Sequence, residues 1–474
     1  MNYEAVIGLE VHVQLKTKSK AFCGCSTEFG RAPNSNVCPV CLGFPGSLPV
    51  LNKQALDYAR MVAAGLNCQI QEFTKFDRKN YFYPDLPKNY QISQYDLPLS
   101  LKGFVDIRAG GALKRVGITR VHLEEDAGKL IHEGKASLVD FNRAGIPLLE
   151  IVSEPDMNSP EEAYEYLTAL KSIVQYIGAS DCDMEKGFLR CDANISLREK
   201  GEKKLGTKTE LKNMNSFKGV KDALAFEIKR QEKVLSAGEK IIQETLLWDA
   251  DAQRTRSMRV KEEAQDYRYF PEPDLPPFVI TLDEIEKIKR SLPELPAQRQ
   301  KRFEETYKFS GSDAALLICS RDVADFFEEC VRSYNNPKSV LNWVTGVVMS
   351  QMNARAADII QIGLKPADLA ELIKLVEDGK INNIVAKSVL SEVLDTKKSP
   401  STIVREKDLL QVSDEGALAG AIQKVLSDNA KSVSDYKSGK TNALMFLVGQ
   451  VMRGSGGKVN PKVVSELIKK QLES

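Results

Sequence analysis

Three segments of the chain alternate apolar and polar residues with a period of two, the pattern of strands with one buried face. In the first, Ala5, Ile7, Leu9, Val11, Val13 and Leu15 alternate with Gly8, Glu10, His12 and Gln14. Same-face neighbours on a strand stand roughly 7 Å apart, so Glu10 and His12 share the polar side. In the second, Leu189, Cys191, Ala193, Ile195 and Leu197 face one way, and Arg190, Asp192, Asn194 and Ser196 the other. The third, Thr207–Lys212, gathers Lys208, Glu210 and Lys212. A fourth strand-like segment, Val121–Asp126, ends in three adjacent carboxylates, Glu124, Glu125 and Asp126. Turning like charges inward is costly unless a cation takes up the charge. An isolated acidic turn can simply be solvated, but three further strands offer ligands. The pattern predicts a half-exposed antiparallel sheet. Its open face carries carboxylates, an imidazole and cationic side chains. Oxygen donors suit Mg²⁺ or Mn²⁺, and Lys or Arg nearby suit phosphate.

Helical periodicity predicts a helix from Ser159, with Pro160 first, apolar Ala163, Leu167, Leu170 and Ile177, and Gly178 as its stop. Ser159 with Glu162 has the spacing of a capping box. Further helices are expected from Asn52 to about Gly65, and after Ser216 with Val220, Leu224 and Ile228 on one face. Tyr267–Pro277 is too proline-rich for a helix or an inner strand and reads as a loop closing the first domain. Beyond Leu292–Pro296 the pattern is helical throughout, with a break near Lys397–Ser401. The predicted domains are 1–293, 294–400 and 401–474. The last is a small helical bundle with a glycine-rich loop at Arg453–Lys458.

A chain of 474 residues with 42% hydrophobic and 28% charged content is ordinary globular protein. No apolar run is long enough to span a membrane, and the N-terminus lacks a secretory pattern, so a cytoplasmic location is expected. Nine cysteines are an odd number, which fits a reducing compartment better than a disulfide framework. A net charge of +1 gives no global signal of a nucleic-acid partner. Locally, residues 437, 440, 453, 458, 462, 469 and 470 are all Lys or Arg, against Glu466 alone. That run is a candidate phosphate-contacting surface, although a solvated helix face has the same composition.

Cys23, Cys25, Cys38 and Cys41 have the spacing C-x-C-x12-C-x2-C. Two close thiolate pairs can close a tetrahedral Zn²⁺ site around a loop with little core of its own. With four protein ligands no position stays open, so the zinc knuckle at 23–41 reads as structural. A redox role for Cys38 and Cys41 would leave Cys23 and Cys25 unexplained. Cys68, Cys182, Cys191, Cys319 and Cys330 read as core or scattered thiols. His12, in a Glu-x-His arrangement, is favoured as a ligand; His122 shares a face with Glu124, and His132 lies in a turn-like stretch. Neither a phosphate-binding loop nor a dinucleotide fingerprint is present. If the chain handles ATP, metal ions and Lys or Arg on the open sheet must hold the phosphates.

Seven longer motifs carry a resemblance. They are Ile7–Gln14, Phe76–Asp85, His122–Lys129, Asp140–Gly145, Glu150–Asp156, Asp266–Pro271 and Phe446–Met452. Together they resemble the B subunits of the bacterial glutamyl-tRNA(Gln)/aspartyl-tRNA(Asn) amidotransferases, essentially from end to end. The resemblance implies an α+β chain. A curved antiparallel sheet called the cradle, similar to glutamine synthetase and guanidino kinases, precedes two all-α domains. It implies phosphorylation of the side-chain carboxylate of misacylated Glu-tRNA or Asp-tRNA with ATP and Mg²⁺, then amidation by ammonia. The ammonia comes from an amidase A subunit, and a small C subunit ties the two together. No Ser-Ser-Gly-Gly amidase signature occurs here, so this chain is expected to depend on that partner. Within this frame Glu10, His12, Glu124, Glu125, Asp192 and Glu210 are the expected Mg²⁺ shell. Glu125 is expected to face the reaction centre. Lys79, Lys88 and Arg190 are candidates for phosphate or for the ammonia path. Cys23, Cys25, Cys38 and Cys41 are the expected zinc ligands. Lys437, Lys440, Arg453, Lys458 and Lys462 in the tail are the expected tRNA contacts. A second class of function fits the same features, a zinc-stabilised tRNA-binding scaffold whose acids hold no catalytic ion.

Overall fold

A computed structural model describes residues 3–260, 266–410, 415–438, 440, 442–454 and 461–473. The chain forms two compact units, Met1–Pro296 and Ala297–Ser474.

In the first unit the strands run β1 (Tyr3–Gln14), β2 (Gln69–Ile70), β3 (Phe73–Thr74), β4 (Asp77–Asn80), β5 (Tyr90–Ser93), β6 (Ser100–Ala109), β7 (Ala112–Glu125) and β8 (Lys129–Glu133). They continue as β9 (Ala136–Asp140), β10 (Pro147–Ser153), β11 (Leu189–Glu199), β12 (Thr209–Lys212), β13 (Glu244–Asp249), β14 (Arg254–Val260), β15 (Phe270–Pro271) and β16 (Phe278–Val279). Four helices accompany them: α1 (Lys53–Gly65), α2 (Pro160–Ile177), α3 (Phe217–Ser236) and α4 (Leu282–Ser291).

Nine strands form one sheet in the order β14-β13-β12-β11-β1-β10-β7-β6-β2. The alternation of β1 decides its faces. Ile7, Leu9, Val11 and Val13 oppose Ile195, Ala193, Cys191 and Leu189 of β11, and all are buried. On the other side of β1, Val11 and Val13 oppose Ile151 and Leu149 of β10, which in turn oppose Val121 and Leu123 of β7. This apolar face is covered by helices: α2 packs against β6 and α3, and α3 against β11. Tyr166, Leu167, Leu170 and Val174 of α2 are fully buried there. Each of the leucine and valine side chains contributes about 1.5–3 kcal/mol on leaving water. Helices α1 and α2 approach closely because Gly65 has no side chain; a Cβ there would lie 2.8 Å from Ile177 Cδ1.

The sheet is not purely antiparallel, contrary to expectation. Strands β12 and β13 are parallel, and α3 between them supplies the crossover that a parallel pair needs. The α2 cap also differs in detail. Ser159 Oγ accepts from Glu162 N–H at 3.2 Å as expected, but the Glu162 carboxylate accepts from Asn158 N–H at 2.7 Å. The proline-rich loop contains a two-residue edge strand, β15, paired with β4, and a proline is tolerated at an edge. Arg78 clamps the loop with a bidentate pair to Glu272, at 2.7 and 2.9 Å.

The second unit is helical: α5 (Pro296–Tyr307), α6 (Gly311–Leu317), α7 (Arg321–Ser333), α8 (Pro337–Asn342), a π-helical turn (Trp343–Val348), α9 (Met349–Ala354), α10 (Pro366–Glu377), α11 (Asn383–Thr396) and α12 (Pro400–Glu406). It ends in α13 (Glu415–Asp428), α14 (Ala430–Lys437), α15 (Asn442–Gly454) and α16 (Pro461–Glu473). Helix α11 ends at Lys397, which takes a left-handed conformation with φ 60°, and α12 packs back against α10 and α11. Ile422, Leu447, Val451, Val464 and Ile468 form a separate core for the last helices. No helix among the described residues is long and apolar enough to cross a membrane.

Candidate active site

The polar face of the sheet carries a row of side chains set by strand register. Arg190 on β11 opposes His12 on β1, His12 opposes Glu150 on β10, and Glu150 opposes His122 on β7. Glu150 is the centre of the row. Its Oε2 lies 3.4 Å from His12 Nε2 and 3.5 Å from His122 Nε2. Glu10 Oε1 stands 3.5 Å from His12 Nε2, and Glu124 Oε2 stands 3.7 Å from His122 Nε2. Two groups of donors therefore share Glu150. One is Glu10, His12 and Glu150; the other is His122, Glu124 and Glu150, with the donor atoms of each group within 4.8 Å of one another.

The electrostatics follow from burial and crowding. Burial, then the Glu150 charge, raise the Glu10 carboxyl. Burial opposes charge on His122, but Glu150 and Glu124 outweigh it and raise the imidazole to about 9. His12 is raised in the same way, by its hydrogen bond to Glu150 against burial. Glu150 is held well below the usual carboxylate range despite burial, by His122 and His12. Carboxylates crowded around two imidazoles fit a divalent cation, which would take the place of the protons.

Glu125 lies elsewhere. Adjacent strand residues point to opposite faces, so Glu124 and Glu125 cannot both face the row. Glu125 forms a close ion pair with Lys88, and its Oε1 also accepts from Ile92 N–H at 2.9 Å. Both side chains line a cavity of about 200 Å³ with Lys20, Cys23, Cys41, Arg78 and Tyr90. Gly43 borders it: a Cβ there would collide with Lys88 Cγ.

The remaining expected residues have local partners. Asp192 opposes Glu10 but forms a close ion pair with Lys212, and Glu210 accepts from Thr245 Oγ1 at 2.8 Å. Arg190 Nη2 donates to Asp126 Oδ1 at 2.9 Å, and Gln14 Nε2 donates to Asp126 Oδ2 at 2.7 Å. Burial opposes charge on Asp126, but Arg190 and Arg143 hold it low. Lys79 differs from Lys88 and Arg190. Among the described residues it makes no carboxylate ion pair. Its Nζ lies 5.0 Å from the Tyr267 ring centre and 5.8 Å from that of Tyr81. Burial opposes its charge, yet the fields of Glu124 and Glu150 raise it overall. Lys79 is therefore a cation aimed at the acidic row and not consumed by it.

The four knuckle cysteines come together, with sulfur atoms within 4.8 Å of one another, which suits one tetrahedral metal. Cys41 is held low, to about 4, chiefly by a hydrogen bond with Cys23 and, against burial, by Cys38 and Lys20.

Two family models cover most of this chain. Residues 5–286 match the GatB/GatE catalytic domain, and residues 325–472 match the GatB domain. The sequence is 55% identical over 475 residues to the B subunit of the aspartyl/glutamyl-tRNA(Asn/Gln) amidotransferase of Carboxydothermus hydrogenoformans, covering 99% of both chains. It is 54% identical to that of Thermoanaerobacter sp. strain X514 and 52% identical to that of Brevibacillus brevis, in each case across essentially the full length of both chains. The chain belongs to the family of aspartyl/glutamyl-tRNA(Asn/Gln) amidotransferase B subunits.

In this B subunit a cavity of about 620 Å³ opens at Arg190, the end of the row, and not at its acids or histidines. Gln14, Lys129, Arg143, Phe188, Arg190 and Asp192 are part of its lining. Phe29, from the knuckle loop, meets Phe188 edge to face with ring centres 5.4 Å apart. Sequence reasoning passed over Glu150 and His122 as ligands, and Asp126 as the partner of Arg190. Glu150 sits alone among Pro147, Leu148, Leu149, Ile151 and Val152. A single carboxylate inside an apolar strand was the available signal. In the tail, Lys437 and Arg453 are exposed, and Lys440 pairs with Asp435 at 2.9 Å. Lys462 lies on α16, and Lys458 lies outside the described residues.

Proposed function

We propose that this chain activates the side-chain carboxylate of Glu-tRNA(Gln) or Asp-tRNA(Asn) with ATP and completes the amide with ammonia. Ammonia cannot displace oxide from a carboxylate. A carboxylate oxygen attacks the γ-phosphorus of ATP, ADP leaves, and an acyl phosphate forms. Ammonia then attacks the acyl carbon, the carbon–oxygen bond to phosphate breaks, and inorganic phosphate departs as the amide forms. The observation that carries this reading is the pair of acid–histidine groups sharing Glu150.

Glu10, His12, His122, Glu124 and Glu150 would hold divalent ions. Bound there, they would supply positive charge where one anion approaches another. Lys79 supplies a further positive charge beside the row. Arg190 and Arg143 lie at the edge of the 620 Å³ cavity, and with Phe188 they suit a nucleotide there. Asp126 orients Arg190 and is itself neutralised by it. Cys23, Cys25, Cys38 and Cys41 would hold a structural zinc ion. The tail from residue 401 is read as the tRNA-contacting domain, supported by the exposed Lys437 and Arg453. Glutamine hydrolysis is assigned to an amidase partner, with a small third subunit, in the cytoplasm.

The test is the purified complex with labelled ATP and each misacylated tRNA in turn. ADP should form only with an aminoacylated substrate, and hydroxylamine should trap the activated carboxylate as a hydroxamate. Amide formation without ATP cleavage would refute the reading. Removing residues 402–474 should weaken tRNA binding while leaving divalent-ion binding intact; unchanged tRNA affinity would refute the tail assignment.

A further inference from the structure

Lys20 is fully buried, and none of the chemistry above uses it. Among the described residues no carboxylate lies within ion-pairing distance of its ammonium. Its Nζ instead lies 3.6 Å from Cys41 Sγ and donates to the Phe141 carbonyl at 3.2 Å. Its backbone N–H donates to the Cys25 carbonyl at 3.0 Å. Lys20 thus ties the first cysteine pair through its main chain and the second through its side chain. Gly145 keeps the passage narrow: a Cβ there would meet Lys20 Cδ and Cys41 Cβ, each at 3.5 Å. A buried ammonium without a counter-charge is strongly disfavoured. The Glu125 carboxylate borders the same passage but is paired with Lys88, which leaves the cysteine centre, in contact through Cys41 Sγ, to answer the charge. Four thiolates around a divalent ion carry a net charge of −2, and one contacting ammonium reduces that to −1.

We propose that Lys20 is the charge partner of the four-cysteine centre, donating an N–H···S hydrogen bond to Cys41 and holding the metal in place. This rests on the reading of the centre as a structural metal site. The donated bond draws electron density from sulfur, which weakens attack on the thiolate by chelators, protons and alkylating agents. Partners of this kind typically change metal affinity by about 10–100-fold.

The experiment uses the full chain, loaded with Zn²⁺ or with Co²⁺ as a spectroscopic probe. Lys20→Met should release zinc to a chromogenic chelator about tenfold faster or more. Its sulfur-to-cobalt charge-transfer band should move to lower energy, because the sulfur lone pairs rise once the donor is gone. Lys20→Gln keeps a donor without the charge and should fall between the two; it decides the matter if Lys20→Met does not fold. In a Cys41→Ala background the sign should reverse. There Lys20→Met should raise the thermal midpoint, because the ammonium has already lost its partner. Equal release rates and an unmoved band in both variants would overturn the role of Lys20 while leaving the metal site standing. A wild-type chain that takes up no stoichiometric Zn²⁺ or Co²⁺ would overturn the metal site itself, and this proposal with it.

Discussion

Replacing Glu150 by glutamine removes one negative charge from the middle of the row and almost no volume. Glu150 Oε2 is 3.4 Å from His12 Nε2 and 3.5 Å from His122 Nε2, and all three side chains are largely shielded from solvent. The rise of His122 from 6.5 to about 9 corresponds to about 3 kcal/mol of extra proton affinity. Burial works against that rise, and Glu150 is the first of the charges that overcome it. In Glu150→Gln, burial is opposed by Glu124 alone and the His122 midpoint should fall from about 9 in the metal-free chain. The chain has three histidines, so imidazole NMR resolves each one. His132, exposed and hydrogen-bonded to Ser137 at 2.8 Å, is an internal control. Equimolar Mn²⁺ should broaden the His12 and His122 signals and spare His132. In Glu150→Gln that broadening should weaken, and transamidation should fall by about a hundredfold or more. A His122 midpoint that stays near 9, or Mn²⁺ broadening unaffected by the substitution, would refute the idea that one carboxylate serves both histidines.

Glu125→Gln strands the buried Lys88 ammonium and should cost about 3–5 kcal/mol in denaturant unfolding. Mn²⁺ broadening of His12 and His122 should survive that change; its loss would mean that Glu125 does reach the row. Lys79→Met should lower the rate of ATP-dependent activation far more than tRNA affinity, and an equal loss of both would argue for a structural role. The pH dependence of stability has a definite sign. The raised His122 contributes fully below its unfolded value near 6.5, and that contribution is lost as pH rises through about 9. The metal-free chain should therefore lose thermal stability across this window. Excess divalent ion, which binds the neutral imidazole, should flatten the slope.

Period-two alternation was enough to place Glu10 and His12 on one polar face and Arg190, Asp192 and Asn194 on another, because strand side chains alternate regardless of context. Capping residues likewise settled where α1, α2 and α3 begin, since Asn52, Ser159 and Ser216 satisfy the first free N–H groups locally. The cysteine spacing announced a cluster, and long motifs announced the family. Which strands become neighbours was not written in any single segment. Only the packed sheet set β10 between β1 and β7, and so put Glu150, alone in an apolar run, between two histidines. The same packing gave Arg190 to Asp126, whereas alternation along β7 alone parts Glu124 from Glu125. It also made β12 and β13 parallel through the α3 crossover. Local pattern determines the face a side chain occupies; the partner across the face depends on register between distant segments, which the buried core decides.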